Sequence, residues 1–265
     1  MDSDALGPGE GPAPRSLQQR YPDLVPQGLS AELIAVRWRL SRGLLDEFSA
    51  ESQHKAGVAQ REGRFAREIE PMDVIGKDGA SVAFSLDEHC RPATTVQTLA
   101  TLQPAFKADG VIHAGNSSGI VDGAAAVVVA SERKARELGL PRRARIVATA
   151  VAGSDPVLML TGPIPSTRKA LALAGLSVKD IDLWEINEAF APVPIVVARE
   201  LGISPERINV NGGAIALGHP LGATGAMLLA TVLNELERRD LRYGAVTLCI
   251  GYGMGVTTII DRKVG

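Results

Sequence analysis

Residues 209–226, NVNGGAIALGHPLGATGA, constrain this chain more than any other stretch. Five glycines fall within those eighteen positions, and one histidine, His219, sits between Gly218 and Pro220. Glycine costs backbone entropy in any regular element, so a dense run marks tight turns or a close approach of backbone to another group. His219 is therefore expected on a constrained loop. The apolar stretch from Ala226 to Leu236 reads as a helix. Alone, this pattern is equally that of a glycine-rich turn with an incidental histidine.

The surrounding chain alternates strands with helices. Ile146 to Ala152 and Ile181 to Ile186 read as strands, with helices beginning at Ser166 or Thr167 and at Glu188. A helix from Gly222 to about Arg239 follows the glycine run, then two β-branched strands, Tyr243 to Ile250 and Gly255 to Asp261. This order predicts an α/β layered domain. Upstream, residues 1–28 hold nine Gly or Pro and read as loop. Ser30 is expected to cap a helix over 31–39, and Ser41 a longer one ending at Gly63. Glu68 to Ile75 and Ala80 to Ser85 read as strands around the turn Lys77-Asp78-Gly79. Thr94 or Thr95 caps a helix to Leu102, and Ser131 one to Leu138. Between them, 110–115 is expected as a short strand and Ala124 to Ala130 as a buried apolar one.

Composition removes several function classes. A net charge of −2 offers no electrostatic basis for binding nucleic acid or an anionic membrane. Two cysteines make no disulfide framework and suit a reducing compartment. No apolar run approaches the roughly 20 residues of a membrane-spanning helix, and the start Met1-Asp2-Ser3-Asp4 is not a signal peptide. A cytoplasmic protein is expected. In Asp87-Glu88-His89-Cys90, neighbouring side chains point to opposite sides of an extended segment. No second Cys/His pair lies at zinc spacing, so a polar loop is expected there and no metal site.

Three stretches stand in order: Trp184-Glu185-Ile186-Asn187-Glu188-Ala189-Phe190-Ala191, the loop around His219, and Leu248-Cys249-Ile250-Gly251-Tyr252-Gly253-Met254-Gly255. A fourth, Ala114-Gly115-Asn116-Ser117-Ser118-Gly119 with Asp122-Gly123-Ala124, precedes them. Together they resemble the thiolases, the acyl-CoA C-acyltransferase family, from about Gln27 onward. The resemblance implies a thiolase-like layered fold: a loop-domain remnant over 1–98, the tail of the N-terminal half over 99–141, and the C-terminal domain over 142–265. It implies thiolytic cleavage of a 3-ketoacyl-CoA, or the reverse Claisen condensation, with coenzyme A thioesters as substrates and no other cofactor. It also implies a homo-oligomer or pairing with a second thiolase chain.

Each matching residue takes an implied role. His219 donates to the thioester oxygen, and Asn187 fixes a water in the same oxyanion hole. Cys249 is the acid/base thiol, and Gly251 the backbone N–H donor of a second hole. Ser118 lies near the pantetheine, and Phe190 in the pocket wall. Read singly, they are a loop histidine, a helix cap, a buried thiol, a turn glycine, a turn serine and a core phenylalanine. Two departures stand out. Tyr252 replaces the middle glycine of the usual Cys-x-Gly-Gly-Gly, where a positive φ would strain it. The family's nucleophilic cysteine, which lies upstream of all these stretches, has no counterpart here, and Cys90 is not a substitute. Sheet edges and apolar surface are accordingly expected to be uncovered. The activity is then impaired, the chain is an inactive acyl-CoA-binding remnant, or a separate chain carries the nucleophile. A nucleotide-loop reading of Gly251-x-Gly253-x-Gly255 fails because the run lies between two strands.

Overall fold

A computed structural model of the chain describes residues 15–263; the loop expected over 1–14 lies outside them. The elements in order are α1 (Arg15–Arg20), α2 (Gln27–Arg37), α3 (Arg42–Arg61), β1 (Met72–Ile75), β2 (Ser81–Phe84), α4 (Val96–Ala100), α5 (Glu132–Glu137), β3 (Arg145–Gly153), α6 (Pro163–Ala174), β4 (Leu183–Ile186), α7 (Pro192–Leu201), α8 (Ala214–Leu217), α9 (Thr224–Arg238), β5 (Tyr243–Cys249) and β6 (Met254–Asp261).

Four strands form one sheet in the order β3-β6-β5-β4. β6 runs antiparallel to both β3 and β5, while β4 and β5 are parallel. A parallel pair needs a long crossover, and α7, α8 and α9 supply it. Alternation along each strand gives the sheet two buried faces. Trp184, Ile186, Ala245 and Ile259 face one core with the apolar side chains of α2, α6 and α7. Leu183, Val246 and Ile260 face the other, against Leu228, Val232 and Leu236 of α9. Cys249 shares the parity of Ala245 and packs against the first core. The α6 side is bolted by hydroxyls: Thr257 Oγ1 lies 2.8 Å from Ser166, 3.0 Å from Thr167 and 2.8 Å from Thr247. The start of α6 rides so close to β6 that a Cβ on Gly255 would meet the Gly162 carbonyl carbon at 2.2 Å.

The α/β class, the hairpin over β1 and β2 and the caps at Ser41, Thr95 and Ser131 agree with expectation. Other readings are corrected. Residues 15–20 are helical, so 1–28 is not all loop. Ser30 lies inside α2 and donates to the Val157 carbonyl at 2.7 Å, so it is a tertiary anchor and not a cap. Ser166 and Thr167 are likewise buried within α6, which begins on Pro163, whose missing N–H costs nothing at a first helical position. Glu68 is no strand residue: it turns to α9 and accepts from Thr231 (3.2 Å) and Asn234 (3.1 Å). Residues 110–113 make no strand and lead into a single 3-10 turn, Ala114–Asn116.

The largest correction falls on 124–130. These residues belong to no strand or helix, and Val128 is 89% exposed. Among the described residues they have no strand beside them to complete a ladder. The uncovered surface expected above is present here and on β3, whose Val151 pairs with Val256 on the face of the sheet that carries Ile260 and is 63% exposed.

Candidate active site

The carboxyl ends of β4 and β5 lie side by side, because the strands are parallel and Ile186 pairs with Thr247. Asn187 extends that ladder by one residue, its N–H donating to the Thr247 carbonyl at 3.0 Å. Two residues further along β5 comes Cys249, on the same face as Thr247. Asn187 and Cys249 therefore share one end of the sheet, the end at which open α/β sheets bind ligands.

Asn187 is no helix cap, since α7 starts at Pro192 and not at Glu188. What intervenes is a loop held by Glu188. This carboxylate is 1% exposed and accepts from the Ser52 hydroxyl (2.7 Å), the Asn209 amide (2.7 Å) and the Ile215 N–H (3.1 Å). Burial raises its pKa against those bonds. Gly213 is needed here, because a Cβ would lie 2.3 Å from the carboxylate carbon. Asn209, at φ 44, seals the edge of β4: its side chain pairs with both the N–H and the carbonyl of Ile186. The glycine run is thus clamped to the Asn187 loop by buried polar contacts.

That clamp delivers His219. Its Nε2 lies 3.2 Å from Asn187 Nδ2, and its Nδ1 lies 2.7 Å from the Thr224 hydroxyl on the first turn of α9. The His219 N–H donates to the Gly119 carbonyl at 2.9 Å. Burial lowers the imidazole pKa, so the ring is neutral near pH 7. Asn187 Oδ1 is buried with no hydrogen-bond partner. A buried acceptor without a partner is costly, and this one stands beside the histidine.

The segment before Gly119 completes the surround. Ser117 bridges Phe190, the Ser118 N–H donates to the Ala189 carbonyl at 3.0 Å, and the Ala191 N–H donates to the Asn116 carbonyl at 2.9 Å. Phe190 is buried and meets Phe106 edge to face at 5.9 Å. Beside His219, residues 121–125 and 220–223 border an open cleft of about 340 Å³.

After Cys249 the chain turns through Gly251–Gly253. Tyr252 takes φ 61, ψ 33, the left-handed conformation expected from the replaced glycine. An L-residue pays about 1–2 kcal/mol there, against which the ring packs on the first core. Burial pushes the Cys249 thiol up to about 12, so it is protonated near neutral pH and stands as a proton donor. Cys90 is elsewhere: its thiol faces the Gln53 carbonyl at 3.9 Å, and burial raises its pKa too. No group of three or more metal-ligating side chains occurs among the described residues.

Of the six residues singled out from sequence, Asn187 and His219 are in contact, Ser118 and Phe190 lie on the two segments joined beside them, and Cys249 and Gly251 follow the neighbouring strand end. The residues that hold them were not singled out. Glu188 had a signal, a charge directly before the apolar run Ala189-Phe190-Ala191, but Thr224 had none. His113, also missed, is fully buried and bridges the 3-10 turn to α3 through Asp46 at 2.7 Å.

The chain is similar to known proteins in both sequence and fold. Residues 140–262 match the thiolase C-terminal domain, and residues 13–133 the thiolase N-terminal domain. The chain is 49% identical to the acetyl-CoA acetyltransferase of Paracoccus denitrificans over 235 residues, which is 89% of this chain and 60% of that protein. It is 47% identical to the 3-ketoacyl-CoA thiolase of Klebsiella pneumoniae over 239 residues, again 89% of this chain and 62% of the relative. The crystal structure of human mitochondrial 3-ketoacyl-CoA thiolase in complex with CoA superposes with a TM-score of 0.87 at 44% identity, covering 90% of this chain and 59% of that one. The chain belongs to the thiolase family, and it spans about 60% of the length of these relatives.

Proposed function

We propose that the site serves acyl-CoA C-acyltransfer: thiolytic cleavage of a 3-ketoacyl-CoA, or the reverse condensation. The observation that carries this reading is the Asn187–His219 contact beside an unpartnered buried Asn187 Oδ1, at the strand ends that also hold Cys249. The reaction generates negative charge on a thioester oxygen, and donors aimed beforehand at that oxygen lower the barrier. His219 and a water held by Asn187 are the donors. The protonated Cys249 thiol supplies a proton to the departing carbon or sulfur. The Gly251 N–H serves the second hole, and Ser118 and Phe190 line the approach of the CoA arm. CoA as ligand is supported by the CoA complex of the human relative. No further cofactor enters.

We take neither Cys90 nor Cys249 as the nucleophile, so these residues by themselves form no acyl-enzyme by the usual route. The same residues then serve a chain that binds acyl-CoA and turns it over poorly. The second reading, a half-enzyme joined by a chain or segment carrying the nucleophile, is favoured by the bare strip at 124–130. Segments 1–98, 99–141 and 142–265 act as loop-domain portion, N-terminal tail and C-terminal domain. Oligomeric assembly in the cytoplasm accompanies both readings.

Thiolysis of acetoacetyl-CoA by the purified chain, beside His219→Ala and Cys249→Ala, tests this. Little turnover alone and a gain on adding the N-terminal region of a thiolase support the half-enzyme. Turnover by the chain alone that both substitutions abolish would overturn the need for the missing cysteine. Turnover indifferent to both would remove the site.

A further inference from the structure

A second cavity, of about 520 Å³, lies between α3, α7 and the loop over 202–209. None of Asn187, His219 and Cys249 lines it. Leu44, Phe48, Ser52 and Lys55 recur at three- and four-residue spacing, so one stripe of α3 faces the cavity. Ile195 and Ala198 present a matching stripe of α7. Leu44, Phe48, Ile195 and Ala198 pack on the first core from behind yet stay half-buried, which leaves apolar surface toward the cavity. Walls of this kind with a few polar groups are typical of small-molecule pockets.

The polar groups decide what fits. Two cations, Lys55 and Arg199, face two carboxyls, Glu51 and Glu188, so the lining carries no net charge when all are ionised. The Ser52 hydroxyl and the Asn209 amide, which also line the cavity, are already given to Glu188 at 2.7 Å each. Lys55 is different. An ammonium has three protons to give, and among the described residues this one makes a single long hydrogen bond, to the Ile208 carbonyl at 3.4 Å.

We propose that this cavity binds an uncharged, chain-like molecule with a carbonyl oxygen near one end, a ketone or an ester. Lys55 donates to that oxygen, and the chain lies between the apolar stripes of α3 and α7. A carboxylate head would gain Lys55 but meet Glu188 and Glu51. An ammonium head would meet Lys55 and Arg199. A neutral acceptor uses the free donor and disturbs neither balance. The floor is already rigid, because Ser52, Asn209 and Glu188 are bonded to one another.

The test is a titration of the full chain, methyl-labelled at isoleucine, with 2-octanone, octanoate and octylammonium. 2-Octanone is expected to shift the Ile195 and Ile203 methyl signals saturably, and to bind about tenfold more tightly than either charged analogue. Saturating CoA is expected to leave those shifts in place; displacement by CoA would put the ketone in the acyl-CoA site and overturn the proposal. Ala198→Trp, which fills the cavity, is expected to weaken 2-octanone by about tenfold, the equivalent of two buried methylenes, with CoA binding kept. Lys55→Met keeps the stem without the charge and is expected to shrink the preference for 2-octanone over octylammonium. No saturable shift at Ile195 and Ile203, octanoate binding as tightly as the ketone, or affinity unchanged in Ala198→Trp overturns the proposal. If Ala198→Trp fails to fold, the wild-type shifts and Lys55→Met decide: a preference that survives the loss of the ammonium overturns the role of Lys55 and with it the ligand class.

Discussion

Residues 243–249 and 124–130 are similar on paper: both are short, apolar and rich in β-branched or small residues. In the structure they have opposite fates. β5 lies between β4 and β6, with one core on each face and Val246 4% exposed. Residues 124–130 pair with nothing among the described residues, and Val128 is 89% exposed. The difference teaches that a strand sequence is only an offer. Its backbone groups and apolar side chains are stabilised by neighbours, and a segment without them forms no strand. Here the neighbours of β5 are encoded within the chain. The pattern at 124–130 anticipates neighbours that the described residues do not contain.

Removing the core beside β5 tests the comparison most severely. Trp184→Ala should cost about 3–5 kcal/mol in urea unfolding, as for other large-to-small changes at buried aromatics. A smaller loss than that would mean the sheet core is looser than its burial indicates. Next in size, Glu188→Ala leaves the Ser52 hydroxyl, the Asn209 amide and the Ile215 N–H without their buried partner. A cost of about 3 kcal/mol is expected, together with weaker acyl-CoA binding as the His219 loop loosens. Unchanged CoA affinity alongside lost stability would separate the clamp from the site.

A pH dependence sharpens the same contrast. Burial raises Glu68, against hydrogen bonds from Asn234 and Thr231, to about 7. The folded state therefore holds this proton more tightly than the unfolded chain does. Its stabilising contribution is complete below about 4.5, the unfolded value, and is lost as pH rises to about 7. Glu235 runs the other way. Burial works to raise it, but hydrogen bonds from Arg238, Arg239 and Asn211 outweigh burial and hold it at about 2. Its contribution is present above about 4.5 and fades as pH falls toward 2. Melting temperatures from pH 4.5 to 7 should fall less steeply in Glu68→Gln than in wild type; parallel curves would remove Glu68 from the account.

The smallest effects belong to the strip. Val128→Ser should change stability by no more than about 0.5 kcal/mol, while lowering self-association in sedimentation velocity. Amides of 120–130 should exchange with solvent at once and those of β5 near the global unfolding rate. Slow exchange at 124–130 would show that the strip finds a partner, for example in a second copy.

Much of the fold was legible because its signals are local. Ser41, Thr95 and Ser131 cap helices three residues away, and Lys77-Asp78-Gly79 turns a hairpin between adjacent strands. Ser30 shows the limit: by type and position it reads as a cap, yet its hydroxyl bonds a carbonyl 127 residues away. Asn187 likewise reads as a cap but lies on a strand extension, because Pro192, five residues on, is where the helix can begin.

The order of chemistry-bearing residues, the α/β class and the strained place of Tyr252 were determined by sequence alone, since each depends on residue type and near neighbours. Only tertiary structure decided that Asn187 and His219 meet at the end of a parallel strand pair that also carries Cys249, that Glu188 clamps the His219 loop to the Asn187 loop, and that Thr224 contacts the imidazole. Those facts depend on burial and on contacts across long stretches of chain. Local patterns do not encode either, because a hydrogen bond's worth is set by what surrounds it after the chain has folded.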